Sequence, residues 1–301
     1  MLRLGQPEIR ASTPRTFYED LPAVWRASTL TFGVILLLVA GLAVGHLIIG
    51  EPQGTTRLLV SITAAAAPPL LWAAFLYQIA ARQQTAVAPL VLTLFMLGAL
   101  IAAAVTRPVL LDLLDLDTWL SSTTVIRRLL SNILIGGFWH AFLLYAMVRY
   151  TVWRTEVFTR RTDGVLFSMA ASWGYALAIN LLFVLDQDGL TMLNGNLRLL
   201  AQQAAFLVPG VVLGYFLGRS RFEVMPAYYL TLGLVIAAGL NGLLLFAGTE
   251  LNSIRLGFDQ DGFSPWPGLV VSLLAMGLTF FAIYGIIRRD NALTRARLEQ
   301  G

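Results

Sequence analysis

The chain contains no cysteine and no lysine. Without thiols it can form no disulfide, no thiolate metal site and no cysteine nucleophile, and its redox compartment leaves no trace in the sequence. All 21 basic residues are arginines, which points to a GC-rich genome rather than to special chemistry. Charge of either sign is scarce, at 13% of 301 residues. The 17 carboxylates fall in loops, in termini or at the boundaries of apolar runs. An acid at membrane depth, which a proton relay or a glutamate-based hydrolase would need, is therefore lacking. The net charge of +4 is scattered over loop arginines and forms no basic stripe, so nucleic acid is excluded as a partner.

What is abundant is apolar surface. A hydrophobic content of 57% identifies an all-α polytopic membrane protein whose first partner is the lipid bilayer. Residues 1–28 carry four arginines and three prolines without apolar periodicity and read as a polar arm. Residues 29–49 are long enough to cross a hydrocarbon core of ~30 Å, too long for a signal-peptide core, and lack a small-residue cleavage site. Seven further apolar runs follow at 58–79, 87–105, 129–149, 165–185, 199–218, 225–246 and 266–287. Eight helices place both termini on one side. Fifteen arginines then lie on the side of the termini and six on the other, so the positive-inside rule sets both ends in the cytoplasm of a prokaryotic plasma membrane. The expected organisation is an arm at 1–28, a bundle of about eight transmembrane helices at 29–287 and a cytoplasmic tail at 288–301. Trp25, Tyr150, Trp153 and Tyr284 would mark the inner boundary, Trp119 and Trp266 the outer.

Small residues at four-residue spacing predict close helix contacts in lipid. One stripe is Gly164, Ser168, Ser172, Ala176 and Asn180; another is Gly210, Gly214 and Gly218; Gly41 and Gly45 make a weaker one. Gln202 and Gln203 are expected near the outer surface, satisfied by head groups or water. The tetrapeptide Asp-Gln-Asp-Gly occurs at 186–189 and again at 259–262, both on the expected outer face. A turn is the simpler reading. The metal reading would draw oxygen ligands from Asp186, Asp188, Asp259 and Asp261, but no terminal glutamate completes an EF-hand pattern.

His140 is the one ionisable side chain expected deep in the bilayer, with His46 nearer the outer interface. A lone imidazole cannot close a metal site of three or four ligands, so no cofactor is expected. A neutral His140 hydrogen-bonded to Asn180, Asn241, Asn132 or a carbonyl is the expected arrangement.

The order Asp163-Gly164, an apolar run, then Gly174-Tyr175-Ala176, Ile179-Asn180 and Phe183 resembles the Asp-Gly…Gly-Phe-Ala-x-x-Glu-Asn-x-x-Tyr segment of PrsW-type intramembrane proteases. The resemblance runs from about 68 to 246. It includes the Pro68-Pro69 run, the run at 94–100, Pro89 with Ala80 and Ala88 at acidic family positions, Arg198, and the stretch 210–222. It also implies a bundle in which glutamates and histidines activate a water for peptide hydrolysis, a constellation shared with type II CAAX prenyl endopeptidases. At the family's functional positions this chain has other residues. Gly137-Phe138-Trp139 is kept, but His140 and Ala141 stand for the paired glutamates and Leu144 for the lysine. Ile179 stands for the signature glutamate, Phe206 for the first histidine, and Asn241-Gly242 for His-Gly. No catalytic residue is therefore expected, and His140, Asn180 and Asn241 remain as candidate binding groups. The resemblance implies that these positions converge from four helices in a region made smaller and drier by the loss of acids. The expected function is a catalytically silent PrsW-like protein that binds a single-span membrane client. Two alternatives stand beside it: an active protease with rearranged residues, and a subunit of a membrane complex or a binder of lipid or small solutes.

Overall fold

Eight helices long and apolar enough to cross a membrane make up the computed structural model, which describes residues 22–82, 88–114, 124–253 and 264–300. They are α1 (Pro22–Ile49), α2 (Gly54–Arg82), α3 (Ala88–Ile101), α4 (Val125–Thr151), α5 (Arg161–Asp186), α6 (Asn194–Phe222), α7 (Tyr229–Ser253) and α8 (Trp266–Gln300). No strand occurs among the described residues. Every apolar run expected from the sequence is helical over most of its length, with ends that move by a few residues, and two helices reach into the segments expected to flank the bundle. Helix α1 starts at Pro22, inside the expected arm, because proline is tolerated in a first turn where its missing N–H goes unused. Helix α8 runs on to Gln300, through the expected tail. Residues 1–21, Trp119 and the second Asp-Gln-Asp-Gly stretch, with Asp259 and Asp261, lie outside the described residues.

Helices α5 and α6 form the centre, with 78% and 89% of their most apolar stretch buried, against 11% for α1 and 22% for α8. Lipid offers no hydrophobic drive for helices to associate, so close backbone approach must hold them together. The two strong stripes supply it by meeting each other. A Cβ added at Gly164 would collide with the backbone of Gly214 and Gly218, and one at Gly218 with the Arg161 carbonyl. Ser172 donates a hydrogen bond from its hydroxyl to the Phe206 carbonyl across the same seam. On the other face of α5, Gly174 touches the Phe95 backbone of α3, and Gly98 of α3 touches Ala171. The weak repeat does not act this way: Gly41 has no atom within 4 Å of an added Cβ, and Gly45 meets only the Met192 side chain.

Loop contacts segregate to two ends, as alternating spans require. At one end, Trp25 packs edge-on against Phe280 and Tyr284 at 5.6 and 5.3 Å, and Arg161 bonds Glu223 at 2.8 Å. At the other, Glu51 accepts from the Met192 N–H at 2.8 Å, Arg57 donates to the Gly189 carbonyl at 2.9 Å, and Arg107 pairs with Asp186 at 2.8 Å. Residues 186–189 form a turn there, with Asp188 and Gly189 at φ of 50° and 88°.

Gln203 corrects an expectation. It is fully buried rather than wetted, and its Nε2 donates to the carbonyls of Ala64 at 3.1 Å and Ala65 at 2.8 Å. Pro68 and Pro69 lie inside α2 and lack the N–H groups that would bond those two carbonyls four residues back. One α6 carboxamide therefore repairs both gaps, as backbone groups in hydrocarbon require. Gln203→Leu should destabilise the bundle by about 1–3 kcal/mol, the cost of stranding buried acceptors. In a Pro68→Ala/Pro69→Ala background the loss should shrink. Denaturant unfolding in detergent, arranged as a double-mutant cycle, reads the difference, and additivity would refute the repair.

Candidate functional site

The site is built where α4 crosses α7. Helix α4 contains a π-helical turn, Ser131–Gly137, between the α-helical parts Val125–Leu130 and Phe138–Thr151. Such turns shift the register by one residue. Ser131 and Asn132 add side-chain bonds to the carbonyls of Arg127 at 2.8 Å and Arg128 at 2.9 Å, both of which also accept from the Ser131 N–H. At the end of the turn Gly137 lies against the Ala238 carbonyl, while Gly242 of α7 lies against Ile133. No side chain separates the two backbones. His140, one turn beyond Gly137, is thereby brought against Asn241, beside Gly242.

The two side chains are fully buried and paired, with His140 Nδ1 and Asn241 Nδ2 3.0 Å apart. With the amide nitrogen donating, Nδ1 accepts and the neutral ring carries its proton on Nε2. Nε2 has no hydrogen-bond partner. Two aromatic rings enclose the imidazole: Tyr175 of α5 at 4.3 Å and Phe206 of α6 at 5.0 Å between centroids. The Tyr175 hydroxyl hydrogen-bonds Thr106, whose Oγ1 also accepts from Trp139 Nε1 at 3.1 Å. Thr106 closes a further π-helical turn, Ala102–Thr106, that extends α3.

His140, Phe206 and Asn241 thus meet from α4, α6 and α7. Ile179 joins them through an apolar cluster with Ala102, Tyr175, Ala176 and Phe206. Ala141 and Leu144 are fully buried but pack into the main core instead. Asn180 also stands apart, against expectation: it is fully buried, and neither its Nδ2 nor its Oδ1 has a hydrogen-bond partner. Tyr175, Thr106 and Trp139 were missed as site residues. Tyr175 had a signal, since it precedes Ile179 by four residues and so shares its helix face. Thr106 had none, because a π turn changes which face a residue takes.

Beside the cluster, toward the Asp186 end, lies a cavity of about 320 Å³. Tyr175, Ile179, Phe206 and Leu245 wall it, both π-helical regions contribute Thr106 and Asn132, and Arg107, Asp186 and Arg198 stand among its polar lining. Space is thus present next to the His140 cluster. Asp186 is occupied by Arg107 at this mouth.

The pattern that defines the PrsW family of intramembrane metalloproteases matches residues 86–258, more than half of the chain. The chain belongs to the PrsW family. Protease PrsW of Halalkalibacterium halodurans is 30% identical over 95 residues, covering 32% of this chain and 43% of the relative. Protease PrsW of Bacillus subtilis is 27% identical over 124 residues, covering 40% and 56%. The chain thus spans about half the length of the curated relatives it matches. No solved structure matches. The match opens just before α3 and closes after α7, so it contains the whole His140 cluster and leaves α1, α2 and α8 outside.

The family's description implies a metal, and the residues at the site do not fit one. A protein metal site needs three or four N, O or S donors. Here the converging positions offer one imidazole and one carboxamide already bonded to each other, together with Ile179 and Phe206, which donate nothing. Among the described residues no group of three or more His, Asp or Glu comes together elsewhere. Asn241→Ala should weaken the fold by only ~0.6 kcal/mol, the average for polar pairs within membranes. Asn180→Ala should cost less, as it removes no hydrogen bond. Ala141→Glu should cost on the order of 3 kcal/mol, because it buries an unpaired carboxylate in a filled core. Thermal unfolding in detergent ranks the three, and a different order would count against this geometry.

Proposed function

We propose that this PrsW-family chain is catalytically silent and holds the transmembrane segment of a single-span client at the cavity beside His140. The carrying observation is the packing of His140, clamped by Asn241, Tyr175 and Phe206, next to a cavity with apolar walls and a polar mouth. Peptide hydrolysis needs a base that titrates near neutrality and donors for the developing oxyanion. The imidazole's accepting nitrogen is engaged, the other is buried without a hydrogen-bond partner among the described residues, and the acid positions are apolar. Binding asks less: an apolar wall for side chains and a few polar groups to fix register. Arg107, Asp186 and Asn132 supply that register in this reading.

The test uses purified protein in vesicles with single-span peptides and a photo-crosslinker at position 179. The expected result is crosslinked, intact peptide. Cleavage that disappears in His140→Ala would establish the opposite reading, a working protease. The same proposal places both termini in the cytoplasm of a prokaryotic plasma membrane, from the excess of arginine on that side. Because the chain is free of cysteine, Glu156→Cys gives a background-free reporter. It should react with a membrane-impermeant maleimide only after the cells are opened, and labelling of intact cells would invert the topology.

A further inference from the structure

A second cavity, of about 920 Å³, lies away from the His140 cluster, between α1 and α8. Trp173 of α5 and Leu207 of α6 contribute to it, with Ile35 of α1 and Met276 of α8 facing across. Two further lining residues, Leu30 at 52% and Phe281 at 78% exposure, leave it open sideways, toward what is lipid in a membrane. Arg26 is its only charged lining residue, and no carboxylate lines it. Arg26 is exposed and makes no ion pair among the described residues. The hydroxyls nearby are already engaged: Thr29 and Thr31 donate to carbonyls one turn back, and Ser28 accepts from Trp72 Nε1 at 3.3 Å. Among the described residues Arg26 is thus a cation without a counter-ion at the end of an apolar groove, next to Trp25 and its partner Tyr284, aromatic residues of the kind that sit at head-group level.

We propose that this groove binds one acyl chain of an anionic glycerophospholipid, with Arg26 on the phosphate-bearing head group. The shape argues against a protein helix as occupant. A helix is about 10–12 Å across with its side chains, and Trp25, bridging from α1 to Phe280 and Tyr284 of α8, closes the space at the head-group end to anything that wide. A single hydrocarbon chain passes beneath that bridge. The charge selects the head group, since a guanidinium near the bilayer surface attracts a net-anionic lipid more strongly than a zwitterion, whose phosphate is balanced by its own ammonium. The site would also explain how α1 is held, since only 11% of its most apolar stretch is buried by protein. Nothing in this assignment depends on whether the His140 site is silent.

Gly277 makes the test sharp, because it lines the groove and an added Cβ there meets no atom within 4 Å. The intact chain in detergent micelles is titrated with phosphatidylglycerol carrying brominated acyl chains, and with phosphatidylcholine carrying the same chains, while tryptophan fluorescence is followed. Saturable quenching with preference for phosphatidylglycerol is expected. Arg26→Gln should weaken phosphatidylglycerol about fivefold relative to phosphatidylcholine and so remove the preference. Gly277→Phe, checked for folding by size-exclusion chromatography, should abolish saturation with both lipids. Should that variant misfold, Arg26→Gln alters only an exposed side chain and decides alone. Equal affinity for the two lipids in the unmodified chain, or a preference that survives Arg26→Gln, would overturn the proposal.

Discussion

Backbone contact between α5 and its neighbours is the constraint on which the rest of this structure depends. Within a bilayer the hydrophobic effect separates protein from water but not helix from helix, so cohesion comes from dispersion and from the few polar bonds that close approach permits. Gly164, Gly214 and Gly218 bring α5 onto α6, and Gly98 with Gly174 brings α3 onto the opposite face. Any side chain at these positions would force the helices apart by the width of a methyl group or more. The Ser172 bond to the Phe206 carbonyl exists only because the helices are that close. So does the repair of α2 by Gln203, which needs α6 within a carboxamide's reach of two proline-freed carbonyls.

The site inherits its geometry from the same device. Gly137 and Gly242 form the crossing of α4 with α7, and the bond between His140 and Asn241 follows from that crossing rather than producing it. The π turns then set what faces the cavity. They bring Thr106 and Asn132 to its lining, and the side chains of Ser131 and Asn132 add bonds to carbonyls of the preceding turn. The polar residues near the site are accordingly of two kinds, those that bond helix carbonyls and those left without a partner among the described residues. His140 Nε2 and both ends of Asn180 are buried without partners. They are polar groups that the fold tolerates rather than uses.

Much of this was legible in the sequence because it depends on periodicity. Apolar runs gave the eight helices, and four-residue spacing of small residues gave the two stripes that turn out to face each other. The meeting of His140, Phe206, Ile179 and Asn241 was legible only through the resemblance to PrsW proteases, since nothing in a single chain pairs residues a hundred positions apart. Failures fell where a local departure from α-geometry changes the face a residue takes. Thr106 could not be placed without knowing of the π turn. Gln203 looked like a wetted interface residue, because its partners are defined by prolines in another helix. Asn180 looked like a partner for His140 because both are polar, yet the stripe that it ends is one for packing.

The glycines at the helix crossings and the apolar groups beside them answer to different physical constraints. A carboxylate in hydrocarbon is costly unless a partner or a catalytic task holds it, and apolar replacements at such positions relieve that cost while adding dispersion contacts. A glycine at a backbone crossing has no such alternative, because every other side chain costs contact. Chemistry and architecture therefore rest on separate residues here. Ala141 and Leu144 merge into the main core, whereas Gly137 and Gly242, adjoining the same site, could not be exchanged without separating α4 from α7. What results is a bundle with a cavity beside His140, held open by backbone crossings that its glycines fix and walled by groups that pack against one another.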